Sequence, residues 1–248
     1  MIDLSRERFS ESVFFPPWLR WDHFCRNQFA AGYVEGKLVV DCASGDGTGS
    51  AMLGRAGGRA VLGFDRSVAE IRGATRRMRD GNVSYCVASA NHLPLRDRSV
   101  DVYVSLETIE HLDDDREFLR DAVRVLRAGG LFICSTPNRS VTNPSVSLEG
   151  RPANPYHVRE YSSEEFRALL GEFFPRIEFF GQNPKPVAAV RRMETLGMRL
   201  SPIGAVRWNQ IMKVLFVPFD RQGNHAVIKP REGFDFEYNV AVCFKTTG

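Results

Sequence analysis

The sequence predicts an α/β fold, a mostly parallel sheet of seven strands with helices on both faces. An N-terminal helix precedes it, and a helical insert separates strands six and seven. Two observations predict this. Short strand-like runs alternate with helical patterns from Gly36 onward, the order that parallel strands and crossover helices impose. The stretch Val39-Val40-Asp41-Cys42-Ala43-Ser44-Gly45-Asp46-Gly47-Thr48-Gly49-Ser50 joins a strand to a helix through glycines at every second position, where backbone must turn sharply and admit a close neighbour.

Residues 14–34 open on Phe14-Phe15-Pro16-Pro17, an extended stretch because proline disfavours helix at the residue before it. Trp18, Trp21, Cys25, Phe29 and Tyr33 then recur at helical spacing and predict an amphipathic helix with an apolar face. Strand one is Leu38–Asp41 and strand two Ala60–Phe64, ending at Asp65. Ser67 and Glu70 have the spacing of a capping box. Strand three is Val83–Val87 and strand four Val100–Leu106; a helix over 115–127 carries Phe118, Leu119, Ala122, Val123 and Leu126 on one face. Gly129-Gly130 introduces strand five, Leu131–Ser135. Ser162 and Glu165 cap a helix with Phe166, Leu169, Leu170 and Phe173; Ile177–Phe180 and Phe236–Lys245 are strands six and seven.

The chain of 248 residues, 43% hydrophobic and 25% charged, suits one large domain with an appended lid. No apolar run approaches the ~18 residues a membrane span needs, and the start lacks the pattern of a signal peptide, so the expected location is the cytoplasm. The five cysteines have no C-x-x-C pair and read as buried apolar residues. Net charge is +3, too small to suggest a nucleic-acid partner. Lys185–Glu232 holds nine bases and three acids, so the rest is net −3. That basic insert, with helices near 187–199 and 204–216, is read as a lid or an oligomer contact, the latter implying a homodimer, and it would attract an anionic small molecule. The organisation expected is 1–35 as an N-terminal helical lid, 36–182 plus 234–248 as the core, and 183–233 as the insert.

The glycine spacing separates two ligands. Dinucleotide folds use G-x-G-x-x-G under a pyrophosphate. Here the third glycine comes one position early, and Asp41 tips the strand. A carboxylate there repels a pyrophosphate and favours a cation, so a nicotinamide-linked oxidoreductase is disfavoured. Asp41-x-x-x-Gly45-x-Gly47 resembles the first motif of the class I S-adenosylmethionine-dependent methyltransferases, whose ligand carries a sulfonium and an ammonium. Four further segments resemble that family: Asp65 at the tip of strand two, 24 residues after Asp41; Ala88–Leu95, like D-A-x-x-L-P-F; Ser99–Leu112, like F-D-x-V-x-S…E-H-L; and Leu126–Phe132, like L-x-P-G-G. The resemblance covers residues 36–182. It implies a Rossmann-like core with an antiparallel last strand.

It also implies roles. Asp41, Ala43, Gly45, Gly47 and Arg66 would hold S-adenosylmethionine (product S-adenosylhomocysteine), with Asp65 at the ribose. Ser89, where the family usually has Asp, and the Ala90 backbone N–H would meet the adenine. Ser105, Leu106 and Glu107 would line the methyl end. Asn154-Pro155-Tyr156-His157 follows strand five, whereas the N-P-P-Y motif of nucleic-acid amino-methyltransferases follows strand four; here strand four runs into Ser105-Leu106-Glu107-Thr108. The pattern resembles members acting on small molecules, so the acceptor expected is a hydroxyl of a sugar or related metabolite. An amine on such a molecule is the alternative, and a non-catalytic cofactor-binding subunit a further one. Asn138, Asn154, Tyr156, Tyr161 and, from the N-terminal helix, His23 are the candidate acceptor residues. A hydroxyl needs a general base; His157 is preferred over His111, which precedes a helix start. Asp113-Asp114-Asp115 with His111 or Glu107 offers ligands to a divalent ion, but acids at a helix N-terminus have an ordinary role there, so a divalent metal is allowed for and not favoured.

Overall fold

A computed structural model describes residues 17–78, 80–144, 146–187 and 225–247. The two helices expected in the insert lie almost wholly outside them, as do residues 14–16. The elements are α1 (Pro17–Ala31), β1 (Leu38–Cys42), α2 (Thr48–Arg55), β2 (Ala60–Asp65), α3 (Val68–Arg77), β3 (Val83–Val87), β4 (Val100–Leu106), a 3₁₀ turn (Ile109–His111), α4 (Asp115–Val125), β5 (Leu126–Pro137), α5 (Arg139–Thr142), α6 (Ser163–Gly171), β6 (Arg176–Pro186) and β7 (Phe234–Phe244). Seven strands form one sheet in the order β3-β2-β1-β4-β5-β7-β6. The β1–β2, β1–β4, β2–β3 and β4–β5 pairings are parallel, whereas β7 runs antiparallel to both β5 and β6.

Successive strand residues feed opposite faces. Val40, Tyr103 and Phe132 join Phe118, Leu119, Phe166 and Phe174 in one core; Val39, Val102, Val104 and Ile133 join Ala30, Val34 and Leu53 in the other. Phe132 and Phe174 stack, with centroids 5.3 Å apart. The sheet order reverses direction between β1 and β4, so a crevice opens at their carboxyl ends, where open α/β sheets bind ligands.

Five expectations change. The Ser162–Glu165 capping box is complete, but at Ser67 only half forms: its side chain accepts from the Glu70 N–H without the return bond. The helix opened by Ser162 ends at Gly171, before Phe173. Strands β5 and β6 run longer than their apolar runs: β5 starts at Leu126, paired with Val100 ahead of an irregularity that spans Arg127–Gly130, and pairing with β7 carries β6 through Gly181–Pro186. Cys86, on the edge strand β3, is exposed, unlike the buried Cys42, Cys134 and Cys243.

The largest change is in α1. Trp21 and Phe24 face solvent, 56% and 42% exposed, while Asp22, Arg26 and Ala30 are buried at four-residue spacing. The helix turns a polar stripe inward because that stripe has partners there. Arg26 Nη1 donates to Gln182 Oε1 at 2.5 Å and its guanidinium lies 4.3 Å over the Tyr238 ring. Asp22 accepts from Asn183 at 3.0 Å and lies 2.7 Å from His225 Nδ1.

Phe132→Ala should lower unfolding free energy by about 3–5 kcal/mol, read from the shift of the urea midpoint at unchanged slope.

Candidate functional site

The site grows from the β1–α2 turn. Ala43 and Gly45 take positive φ (62° and 54°), and Gly47, at φ 85°, caps α2 without a side-chain bond. A Cβ on Gly47 would come within 2.7 Å of the Tyr85 hydroxyl, which itself donates to the Gly47 carbonyl. A Cβ on Gly49 would meet Asn27 Oδ1 at 2.6 Å. The third glycine therefore lets α1 close against the turn.

Asp41 Oδ2 accepts from Ser50 Oγ at 2.6 Å, tying the strand tip to the first turn of α2. Burial pushes the Asp41 carboxyl up to about 6; the Ser50 bond opposes this and the charges of Asp65 and Asp46 add to it. Asp65 Oδ2 accepts from the Gly45 N–H at 3.1 Å and Oδ1 from the Ser67 N–H at 2.8 Å. A carboxylate oxygen has two acceptor sites, so each keeps capacity for one more donor. Ser44 Oγ and Asp46 Oδ2 are buried in this turn with no hydrogen-bond partner. The turn is thus an acid-lined cradle with unused polar atoms, and a cationic, hydroxyl-bearing ligand fits that donor and acceptor set.

The other expected residues fall around it unevenly. Ser105 Oγ donates to the Cys42 carbonyl at 3.3 Å, and Leu106 and Glu107 follow at the tip of β4. Glu107 sits at φ 53° and accepts from Ser135 Oγ at 2.6 Å, 3.9 Å from Arg26 Nε. Burial raises its pKa, against the opposing pull of Arg26 and Ser135. Ser89 is exposed, Ala90 half-buried and Arg66 exposed; Ser89 Oγ accepts from the Asn91 N–H at 3.4 Å in a local turn.

On the acceptor side, two candidates are consumed by the fold. Asn138 is fully buried; its amide donates to Asp235 and the Phe236 carbonyl, and its Oδ1 accepts from the Ser140 N–H. Tyr161 lies in the core with its hydroxyl on Asp115 at 2.7 Å. Asp115 also binds Arg159, and Asp114 caps α4, so the acidic triplet serves the helix start. Tyr156 is 39% exposed and Asn154 binds both the Tyr156 N–H and His157. His23 lies on α1, where burial and the nearby Arg26 lower its pKa well below the usual value.

The two candidate bases meet: His111 and His157 rings are 4.8 Å apart, edge to face. His157 Nδ1 lies 2.6 Å from Glu160 Oε1, and its Nε2 2.9 Å from the Asn154 amide. His111 Nδ1 lies 2.9 Å from the Tyr156 carbonyl, and its side chain is the more open, 28% exposed against 7%. Sequence reading overlooked Arg26, Glu110, Glu160 and Gln182. Two signals pointed to Arg26 and Glu160: the charges at i and i+4 in α1, and an acid three residues after His157.

Residues 40–134 match the family described as a methyltransferase domain. This segment belongs to that family. The methyltransferase domain includes both the acid-lined turn and β4–β5. The chain is 38% identical over 158 residues to a “probable S-adenosylmethionine-dependent methyltransferase” of Mycolicibacterium smegmatis, covering 62% of this chain and 57% of that one. It is 29% identical over 130 residues to a ubiquinone biosynthesis O-methyltransferase of Methylobacterium, 52% of each. It spans about half the length of the curated relatives it matches. Among solved structures, a S-adenosylmethionine-dependent methyltransferase of Thermotoga maritima, named as a possible histamine N-methyltransferase, superimposes with a TM-score of 0.62 at 18% identity, over 92% of this chain and 93% of that one. The fold is therefore the Rossmann-like methyltransferase fold. No helix among the described residues is long and apolar enough to cross a membrane.

Two outcomes follow. A folded-state pKa raised above the unfolded 3.8 means the ionised Asp41 destabilises the fold above about pH 6, an effect that fades as pH falls toward 4. Asp41→Asn keeps an acceptor for Ser50 and should raise thermal stability at pH 7.5, by on the order of 1–3 kcal/mol, with the gain vanishing near pH 4. Gly47→Ala should lose at least ~1 kcal/mol, seen as a lower melting temperature in differential scanning calorimetry.

Proposed function

We propose that the chain is a S-adenosylmethionine-dependent methyltransferase acting on a hydroxyl of a small molecule, a sugar or related metabolite. The observation that carries this reading is the acid-lined glycine turn, where Asp41 and Asp65 flank buried, unpartnered polar atoms of Ser44 and Asp46. Asp65 would take the ribose diol on its remaining acceptor sites. Asp41, behind the turn, would supply negative potential to the sulfonium and ammonium. The Gly45–Gly47 backbone leaves room for the methionine moiety.

Bound S-adenosylmethionine supplies a methyl already activated by its positive sulfur. The residues of this chain need to align the acceptor and exclude water. As the acceptor oxygen bonds to the methyl carbon, the sulfur–carbon bond breaks, S-adenosylhomocysteine leaves, and the hydroxyl proton passes to the protein. Glu107, Glu110 and His111 stand at the carboxyl edge of β4 to receive it. Burial raises the proton affinity of both carboxylates, and in Glu110 the neighbouring Glu107 charge adds to it. His111, more open than His157, is favoured for direct contact with the acceptor. A relative named as an O-methyltransferase supports oxygen as the receiving atom. The α1 helix, with Arg26 reaching Glu107 and Gln182, would act as the lid. We read the protein as cytoplasmic, with a small-molecule acceptor and no nucleic-acid partner.

Purified protein with methyl-labelled donor should transfer label to one or more hydroxyl sugars or related metabolites. His111→Ala should cut turnover 100-fold or more while donor affinity changes less than threefold. Label transfer only to amino sugars would replace oxygen by nitrogen. Donor binding without transfer to any acceptor would favour the non-catalytic subunit.

A further inference from the structure

Beside the turn, where the loop after β5 folds back on β4, three side chains converge for reasons that methyl transfer alone does not require. Glu110, His111 and His157 each bring one ligand-capable atom, all within 4.8 Å of one another. Glu110 is 1% exposed. Its Oε2 accepts from Thr136 at 3.0 Å, while Oε1 is buried with no hydrogen-bond partner and lies 4.0 Å from His111 Nε2. Leaving a buried carboxylate oxygen unsatisfied is costly, so the pocket is shaped for something that oxygen can bind.

The imidazoles are oriented from behind. A carbonyl only accepts, so the 2.9 Å contact to Tyr156 assigns the proton of His111 to Nδ1 and the lone pair to Nε2. His157 Nδ1 faces Glu160 Oε1 at 2.6 Å. Glu160 is itself held by Thr142 and Asn143, both at 2.5 Å. It therefore accepts from the Nδ1–H, which leaves the lone pair on Nε2. A carboxylate or carbonyl behind each histidine is how proteins orient metal ligands. The loop is pinned as well, since the Glu110 carbonyl accepts from the Val158 and Arg159 N–H groups.

We propose that Glu110, His111 and His157 form a divalent transition-metal site, with Glu160 and the Tyr156 carbonyl as its orienting groups. Two imidazoles and one carboxylate suit zinc, cobalt, iron or manganese, whereas magnesium and calcium want all-oxygen sets. This favours the metal that the sequence only allows for and moves its site away from Asp113–Asp115. An ion at His157 Nε2 displaces the Asn154 amide from its 2.9 Å contact. An ion held there would take His111 as a ligand and would lower the proton affinity of an oxygen beside it, leaving Glu107 as the residue that could accept the acceptor proton.

Full-length protein stripped with chelator is titrated separately with Zn(II), Co(II) and Mg(II), with S-adenosylhomocysteine binding as an independent check of the fold. Zinc and cobalt should bind one per chain, cobalt gaining visible absorption, and magnesium far more weakly. Glu110→Gln and His157→Gln should each weaken zinc at least tenfold while keeping S-adenosylhomocysteine binding. Should either variant lose both ligands, His111→Gln, at the more open position, makes the same comparison. Substoichiometric zinc in wild type, or wild-type zinc affinity in the folded variants, overturns the site. Either result leaves the methyl-transfer reading standing, because that reading fails on the S-adenosylhomocysteine titration instead.

Discussion

Burial of carboxylates along one edge of the sheet is the constraint on which the rest of this structure depends. Asp41, Asp65 and Glu110 are nearly inaccessible, and Glu107 stands beside them. Each must be met by donors, because an isolated buried charge is prohibitively costly. Ser50, the Gly45 and Ser67 N–H groups, Ser135, Thr136 and Arg26 supply them. Those donors come from α2, the glycine turn, the start of α3, β5 and α1. The acid edge thereby dictates how five parts of the chain must sit, and the raised pKa of Asp41 fits a compensation that is incomplete. A ligand carrying positive charge completes it.

The same logic explains why α1 turns Trp21 outward although Phe29, at the same spacing, packs on Phe180. Burying Arg26 against Glu107, Gln182 and Tyr238 satisfies more of the edge than burying Trp21 would. The helix then serves as a wall of the crevice as well as a cover for Leu53 and Phe180.

Much of this was legible in the residues. The β1–α2 turn, the tips of β2 and β4 and the succession of parallel strands follow from local patterns: β-branched runs, glycine spacing and an acid at each tip. Long-range satisfaction was not legible. Asn138 and Tyr161 look like exposed acceptor residues because polar groups in a loop usually face water. Here Asp235 and Asp115, distant in sequence, draw them inward. The aromatic stripe from α1 held at Phe29 and Tyr33 and failed at Trp21, since periodicity reports that a helix has two faces and cannot say where along a face the partners lie. Ser44 and Asp46 also carry no sequence signal of being unsatisfied; only the packed turn reveals it.

The most direct test is calorimetric titration of S-adenosylmethionine from pH 5 to 8, in buffers of different ionisation heat. If a negative turn receives the cation, binding releases protons near pH 6 and affinity declines as Asp41 protonates below that value. Affinity that stays flat across the range with no proton exchange, or no binding heat in any buffer, would contradict the account.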